Sequence, residues 1–343
     1  MAKVDYLVNL AEAQADPALA AALGRAGQRA PFDRLDWWRA LAEHCLPGER
    51  PVLAVARSDE ALCALPLMRR PRSAQLRSLA NWYSFWSRPV FANGGQRLLA
   101  VLARSLADRA VRVSLSPLPE ADAVALERAF SQAGWAVRAE EADRNHRLEL
   151  GGRDFADYWA SRPGRLRETV RRKAATDSIS VRVTERFSAA DWTAYESVYA
   201  RSWKPEEGSF AFLRGFAEAE AAAGTLRLGI AEFAGMPVAA QLWTVEHGTA
   251  YIHKLAHDEA AKAHSPGTLL SHAMFARAID VDKVETIDFG AGDDGYKRDW
   301  MERARPLLRL DMHRPRDPRS WPHLLRNALK PPGFALAAVQ HES

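Results

Sequence analysis

Between Val284 and Trp300 the sequence VETIDFGAGDDGYKRDW gathers carboxylates, a phenol and an ammonium into one short stretch. An apolar strand, Val284 to Phe289, is expected to break at Gly290 and Gly292. The turn that follows carries Asp293, Asp294, Tyr296, Lys297 and Trp300. A strand ending in a glycine-rich turn with acids, a phenol and a cation is a common way to build an α/β site. The same pattern suits a plain strand-to-helix turn, with glycines at positive φ and acids capping the next helix.

Two other segments add chemistry. In YIHKLAHDE, strand alternation puts Tyr251, His253 and Leu255 on one face and Ile252 and Lys254 on the other, so only one of His253 and Lys254 could face a given cleft. Downstream, Ser265, Pro266 and Gly267 stand just before an apolar helix running to Ile279. Ser265 suits the N-cap and Pro266 the first turn, while Gly267 leaves room for a ligand to approach the backbone. Free N–H groups and the helix dipole at such a tip attract anions, and a pyrophosphate would fit; an ordinary capped helix would read the same way. Trp82, Tyr83, Phe85 and Trp86 form an aromatic cluster that either fills the core or lines a pocket. Ser161 to Asp177 reads as a helix with Leu166, Val170 and Ala174 on one side and Arg165, Arg167, Arg171, Arg172 and Lys173 over much of the rest. It is either a solvated connector or a cationic edge for a phosphate-bearing ligand.

The elements that must hold these groups follow from periodicity. Phe32 to Cys45 is an amphipathic helix, with Asp33 or Asp36 available to cap it. Pro51–Ala56 and Ala61–Met68 form a hairpin about RSDE. Then come a helix over Leu98–Arg109, a strand over Val111–Leu115 ended by Pro117 and Pro119, and a helix over Glu120–Ala133 stopped by Gly134. Trp135–Arg138 and His146–Leu150 are expected as two further strands. The second half has helices over Ala189–Trp203 and Phe210–Ala223, then a meander of Leu226–Phe233, Pro237–Glu246 and Thr249–Ala256. Both halves run through helices, a meander, a helix and a strand. A duplicated α/β module with mixed sheets is the fold expected.

Bulk properties bound the rest. At 343 residues and 48% hydrophobic content the chain can bury a large core, and its length suits two domains. The balance of 47 basic and 43 acidic residues gives a net charge of only +4, which fits a small anionic ligand better than nucleic acid. Two cysteines make neither a disulfide framework nor a zinc pattern, so no metal is expected. No signal-peptide pattern and no long apolar run is apparent, which leads to the expectation of a reduced, cytoplasmic protein. The segment Trp321–Val339 mixes Trp321, Leu324, Leu325, Leu329 and Phe334 with Arg326 and Lys330. It reads either as a helix packed on the second module or as an interfacial anchor peripheral to the inner membrane.

The order of YIHKLAHDE, SPGTLL and IDFGAGDDGYKRDW resembles the GNAT superfamily, in particular the BioF2-like or CelD-like acetyltransferase group related to the FemAB peptidyltransferases. The resemblance covers Arg165 to Leu310, and LANWYSFWSRPVF is similar to that group's aromatic segment. It implies tandem GNAT-like modules over 1–160 and 161–315, followed by a tail over 316–343. It implies transfer of an acyl group from coenzyme A, as co-substrate, to an amine of an envelope lipid such as a sphingoid base or of a polysaccharide amino sugar. Ser265, Pro266, Gly267, Thr268 and Leu269 fall where the superfamily binds pyrophosphate. Lys254 and Asp258 match a Lys-x-x-x-Asp step, and Asp288, Gly292, Tyr296 and Lys297 match Asp-Phe-x-x-Gly-x-x-x-Tyr-Lys. On that basis Asp288, or Asp258 in its place, is expected as general base, with His253 as a further candidate. Lys297 is expected to meet the oxyanion and Tyr296 to act as acid toward the thiolate. Lys254 could instead pair with Asp258 and merely hold the loop. Trp82, Tyr83, Trp86 and Trp203 are expected to bind substrate. A FemAB-like aminoacyl-tRNA-dependent transferase and a non-catalytic GNAT-like binding module are the alternatives.

Overall fold

The computed structural model describes residues 2–176, 179–330, 333, 334 and 336. Packing divides the chain after Arg144 and again after Arg305, so the residues from Pro306 on return to the first unit. The sequence reading placed its divisions after 160 and 315.

The first unit runs β1 (Lys3–Leu7), α1 (Leu10–Ala15), α2 (Pro17–Ala22), α3 (Leu35–His44), β2 (Arg50–Ser58), β3 (Ala61–Arg69), β4 (Gln75–Ser78), β5 (Val90–Ala92), α4 (Leu99–Leu106), β6 (Arg112–Pro119) and α5 (Glu120–Gln132), then enters β7 (Ala136–Glu149). Its strands lie in the order β1-β2-β3-β4-β6, with β5 also on β3. Strand pairs are antiparallel except β4 with β6. Alternate residues of β2 and β3, such as Val52, Ala54, Leu65 and Leu67, pack with Leu102, Leu106, Leu126 and Phe130 of α4 and α5. Asn9 and Asp16 cap α1 and α2 through their side chains.

Three expectations change here. Neither Asp33 nor Asp36 caps α3, whose N-cap is Arg34 with no side-chain cap bond. Asp33 is instead buried, binding Arg88 Nη2 at 2.7 Å and Trp86 Nε1 at 3.0 Å. Trp135–Arg138 and His146–Leu150 are not separate strands but the two ends of the long β7. The prolines do not end β6 at Leu115; a register shift absorbs Pro117 and the strand continues to Pro119, which pairs with Leu307.

The second unit runs α6 (Phe155–Ala160), α7 (Gly164–Thr176), β8 (Ile179–Thr184), α8 (Ala189–Ala200), α9 (Phe210–Ala222), β9 (Leu226–Phe233), β10 (Met236–Glu246), β11 (Thr249–His257), α10 (Pro266–Ala276), β12 (Thr286–Ala291) and α11 (Lys297–Trp300). A π-turn over Arg277–Val281 extends α10. From the far end of β7 the strand order is β7-β12-β11-β10-β9-β8, antiparallel except β11 with β12. Trp243, Ile252, Leu270, Met274, Phe275, Ile287 and Trp300 fill its core. Helix α7 buries Leu166 and Val170, while exposed Arg165 and Arg171 pair with Asp299 and Glu168. Its cations are thus partly satisfied from within, and Asp177 lies outside the described residues.

The chain then passes through β13 (Arg303–His313), which pairs antiparallel with β6, to α12 (Trp321–Ala328). Helix α12 belongs to the first unit rather than packing on the second. Lys330 Nζ lies 3.1 Å from Glu140 Oε1, and Arg138 reaches the Asn327 carbonyl at 3.5 Å. Phe334 packs on the first unit's core; residues 331–332, 335 and 337–343 lie outside the described residues.

Candidate active site

Strands β11 and β12 pair over three residue pairs only, Thr249–Thr286, Ala250–Ile287 and Tyr251–Asp288. Beyond Tyr251 the strands part, and the edge of β11 that faced β12 has no strand partner. A cavity of about 310 Å³ opens along this wedge. Leu255 and His257 of β11 line it together with Ser265, Pro266, Gly267 and Thr268 at the tip of α10, Phe289 of β12, and Tyr296 and Trp300 beyond the turn. The helix tip and the turn after β12 therefore border one crevice.

The tip of α10 is not capped as expected. Ser265 sits in the left-handed region at φ 53° and its side chain makes no cap bond. Its carbonyl instead accepts from Thr268 N and Leu269 N, both at 3.1 Å. Pro266 has no N–H, so the Gly267 N–H is left without an acceptor among the described residues. A Cβ on Gly267 would stand 3.3 Å from His257 Nδ1, so glycine keeps this approach clear. Leu269 does not join the cavity; it is buried against the core. Gln241 anchors α10 by donating to Ser271 Oγ at 2.7 Å and to the Gly267 carbonyl at 3.4 Å, and accepts from Trp243 Nε1 at 2.9 Å. The Trp203 and His257 rings meet at 4.3 Å, tilted by 40°, and burial holds the His257 imidazole below the ordinary histidine range.

The turn after β12 redistributes the expected roles. Asp288 is 1% exposed, and its Oδ1 accepts from Asn145 Nδ2 at 2.7 Å and from the Gly290 N–H at 2.9 Å. Burial pushes its carboxyl up, and it does not line the cavity. A carboxylate so enclosed braces the turn and does not open onto the cavity. Lys297 is also buried; its ammonium donates to the Ala291 carbonyl and lies 5.2 Å from the centre of the Phe289 ring. It ties the turn together and does not reach the cavity as an oxyanion group. Tyr296 does: it lines the cavity and remains 37% exposed. Burial, then the Asp294 carboxylate, raise its phenol above the ordinary tyrosine value. Asp293 is held by Arg298 at 2.6 Å and by His146 Nε2 at 2.9 Å, which draw its carboxyl below the usual range. The side chain of Asp294 has no hydrogen-bond partner among the described residues.

A β-bulge sets the other face. Leu242 opposes Lys254 while Trp243 opposes Ile252, so His253 is the extra residue. Alternation would have separated His253 from Lys254, but the bulge brings both toward α8 and α9. His253 Nε2 meets Thr244 Oγ1 at 2.8 Å and its ring abuts Phe216; Lys254 lies near the Tyr199 ring. Lys254 pairs with the buried Glu207 at 2.8 Å, not with Asp258. Asp258 caps the following turn through Ala260 N at 2.9 Å and binds Arg201 at 2.6 Å. It clasps this loop, with its carboxyl drawn down by Arg201 first, and it does not line the cavity.

Of the expected aromatics, Trp203 lines the cavity. Tyr83 and Phe85 are buried in the first unit, where Phe85 stacks on Phe32 at 4.5 Å and Trp86 meets Phe32 at 5.1 Å. Trp82 is exposed. Trp82, Tyr83 and Trp86 belong to the first unit, whereas every residue lining the cavity comes from the second. Sequence reasoning missed Asn145, His146 and Glu207. The first two reach the site from a strand that no local motif ties to it, and Glu207 sits in a loop without periodicity. Among the described residues no group of three or more His, Cys, Asp or Glu is placed to hold a metal, and no helix is long and apolar enough to cross a membrane.

Residues 160–298 match the family model of the acetyltransferase (GNAT) domain. No curated protein matches the sequence. Three solved structures share the fold. The C-terminal domain (DUF2156) of an Agrobacterium fabrum protein named for lysylphosphatidylglycerol synthetase is 13% identical at a TM-score of 0.59, covering 93% of this chain and 96% of its own. FemX is 10% identical at 0.57, over 90% of this chain and 96% of its own. A tandem GNAT protein from the clavulanic acid biosynthesis pathway is 13% identical at 0.51, over 92% and 100%. At these identities the likeness establishes a GNAT-type mixed α/β fold, and the matched domain is of the acyltransferase class.

Proposed function

We propose that this GNAT-type acyltransferase moves an acyl group from a coenzyme A thioester to a primary amine. One observation carries the reading: the α10 tip and Tyr296 face each other across a single cavity, in the wedge where β11 and β12 part. The donor's phosphates rest against the Gly267 N–H and the Thr268 hydroxyl, with Lys262 beside them. The pantetheine arm runs along the unpaired edge of β11 as an added strand, and an outward N–H of that edge meets the thioester oxygen as it gains charge. The amine nitrogen attacks the carbonyl carbon, the C–S bond breaks, and the thiolate takes the Tyr296 proton. The proton lost by the amine passes to Asp294, the turn carboxylate not engaged by a hydrogen bond. Burial suits Tyr296 to this task by keeping the phenol protonated at neutral pH.

The acceptor belongs to the envelope, as an amine of a lipid or of a polysaccharide amino sugar, and the enzyme works from the cytoplasmic side of the inner membrane. The exposed apolar face of α12 supports peripheral contact there. The decisive experiment is a thermal-unfolding panel of acyl-CoAs of graded chain length. A thioester at about 100 times its Kd should stabilise the fold by about 2.7 kcal/mol. A flat panel, together with a retarded band for aminoacyl-tRNA that persists as salt is raised, would move the donor to the FemAB-like alternative.

A further inference from the structure

The loop after α8 holds a cation that no ion pair among the described residues neutralises. Lys204 is half-buried, and its ammonium lies 5.3 Å from the centre of the Trp203 ring, itself part of the cavity wall. It forms no ion pair among the described residues. Its neighbour Lys254 differs, because Glu207 closes on it at 2.8 Å. Burial, then repulsion from Lys254, draw the Lys204 ammonium below the ordinary lysine range, against the pull of Asp294 and Glu207. An ammonium drawn partly out of water and left unpaired costs the folded state free energy that an arriving anion would return.

The faces of the sheet say which ligand brings that anion. Leu255 and His257 look toward the tip of α10, where the donor's phosphates rest. Lys254 looks the other way, toward Tyr199 of α8 and toward Glu207. Lys204 follows α8 and lies in the electrostatic reach of Lys254, Glu207 and Asp294. Lys204 thus shares its surroundings with the Lys254 face of the sheet and with Asp294, while Trp203 beneath it belongs to the cavity wall. We infer that Lys204 receives an acid group of the acceptor, a carboxylate or a phosphate ester, while the acceptor's amine points to Asp294. This rests on the acyl-transfer reading above and narrows it: among envelope amines, those that carry an acid a few bonds from the reacting nitrogen are the substrates. A site built to pair a charge rejects the analogue that lacks it, so the preference should be strong.

The test is calorimetric binding to the parent, Lys204→Met and Lys204→Arg. The probes are O-phosphoethanolamine and β-alanine, each beside its acid-free counterpart, ethanolamine and propylamine, with coenzyme A titrated separately. The parent and the arginine variant should bind at least one acid-bearing probe tenfold or more tighter than its counterpart. Which of the two wins tells phosphate from carboxylate. Lys204→Met should lose that preference and keep its affinity for coenzyme A. Equal binding of acid-bearing and acid-free probes by the parent overturns the inference. A methionine variant that loses coenzyme A while keeping the preference assigns Lys204 to the donor and also overturns it. A parent that shows the preference but binds no coenzyme A would sink the donor reading and leave the Lys204 assignment standing.

Discussion

Tyr296 and Lys297 are adjacent in sequence and opposite in role. Tyr296 opens onto the cavity, whereas Lys297 turns inward to the Ala291 carbonyl. Tyr296→Phe should therefore lower kcat by about 100-fold or more and leave coenzyme A affinity unchanged. Because the phenol sits above its ordinary pKa of 10.0, the protonated acid persists through neutral and mildly alkaline pH. Any fall in rate caused by its ionisation should begin above pH 10. An alkaline limb that persists unchanged in the phenylalanine variant would belong to another group, and a Tyr296-dependent limb below that point would overturn the raised pKa. Lys297→Met should act on folding instead, at about 1–3 kcal/mol, since it strands the part-buried Ala291 carbonyl. A large loss of kcat at full stability would return Lys297 to the chemistry. The motif that holds these residues was legible in the sequence. Which of them face the ligand was not, because orientation depends on Asn145, Gly290 and Ala291 closing the turn around Asp288 and Lys297.

At the scale of elements, one inserted residue in β11 and one missing side chain in α10 shape the site. The bulge at His253 gives Lys254 the same outlook as His253, which strict alternation forbids. Nothing in YIHKLAHDE announces a bulge, because its cause is the register against β10. Gly267, in contrast, was readable: a glycine beside a proline at the head of an apolar helix signals an open tip. Its backbone does not lie in the left-handed region, so a side chain would be resisted by crowding rather than by backbone strain. Gly267→Val should weaken coenzyme A binding about tenfold by covering the free N–H and pressing on His257, with little change in melting temperature. Unchanged calorimetric affinity would remove the anion site from the helix tip.

At the scale of the whole molecule, α12 stands out. Trp321, Leu325 and Leu329 are 55%, 68% and 89% exposed, and they recur at helical spacing beside Arg326 and Lys330. Scattered apolar residues need no explanation, but an aligned exposed stripe with flanking cations suits a membrane interface. The double substitution Leu325→Glu and Leu329→Glu should cut sedimentation with phosphatidylglycerol vesicles about tenfold and spare turnover of a water-soluble acceptor. An unaltered pellet fraction would mean that the stripe serves another purpose.

The sequence by itself determined the α/β class, the order of helices and meander in the second half, and the two motifs that border the cavity. Those features are local: periodicity of two or of 3.6 residues, glycine and proline at turns, and a carboxylate–phenol–ammonium cluster within one stretch. Tertiary structure alone decided that the β11–β12 ladder stops at Tyr251, that Asp258 and Asp288 are clasps, and that Lys204 forms no ion pair among the described residues. Each of these depends on a partner distant in the chain or on the point where two strands diverge. No residue-to-residue spacing encodes that, because burial and pairing are properties of the packed chain.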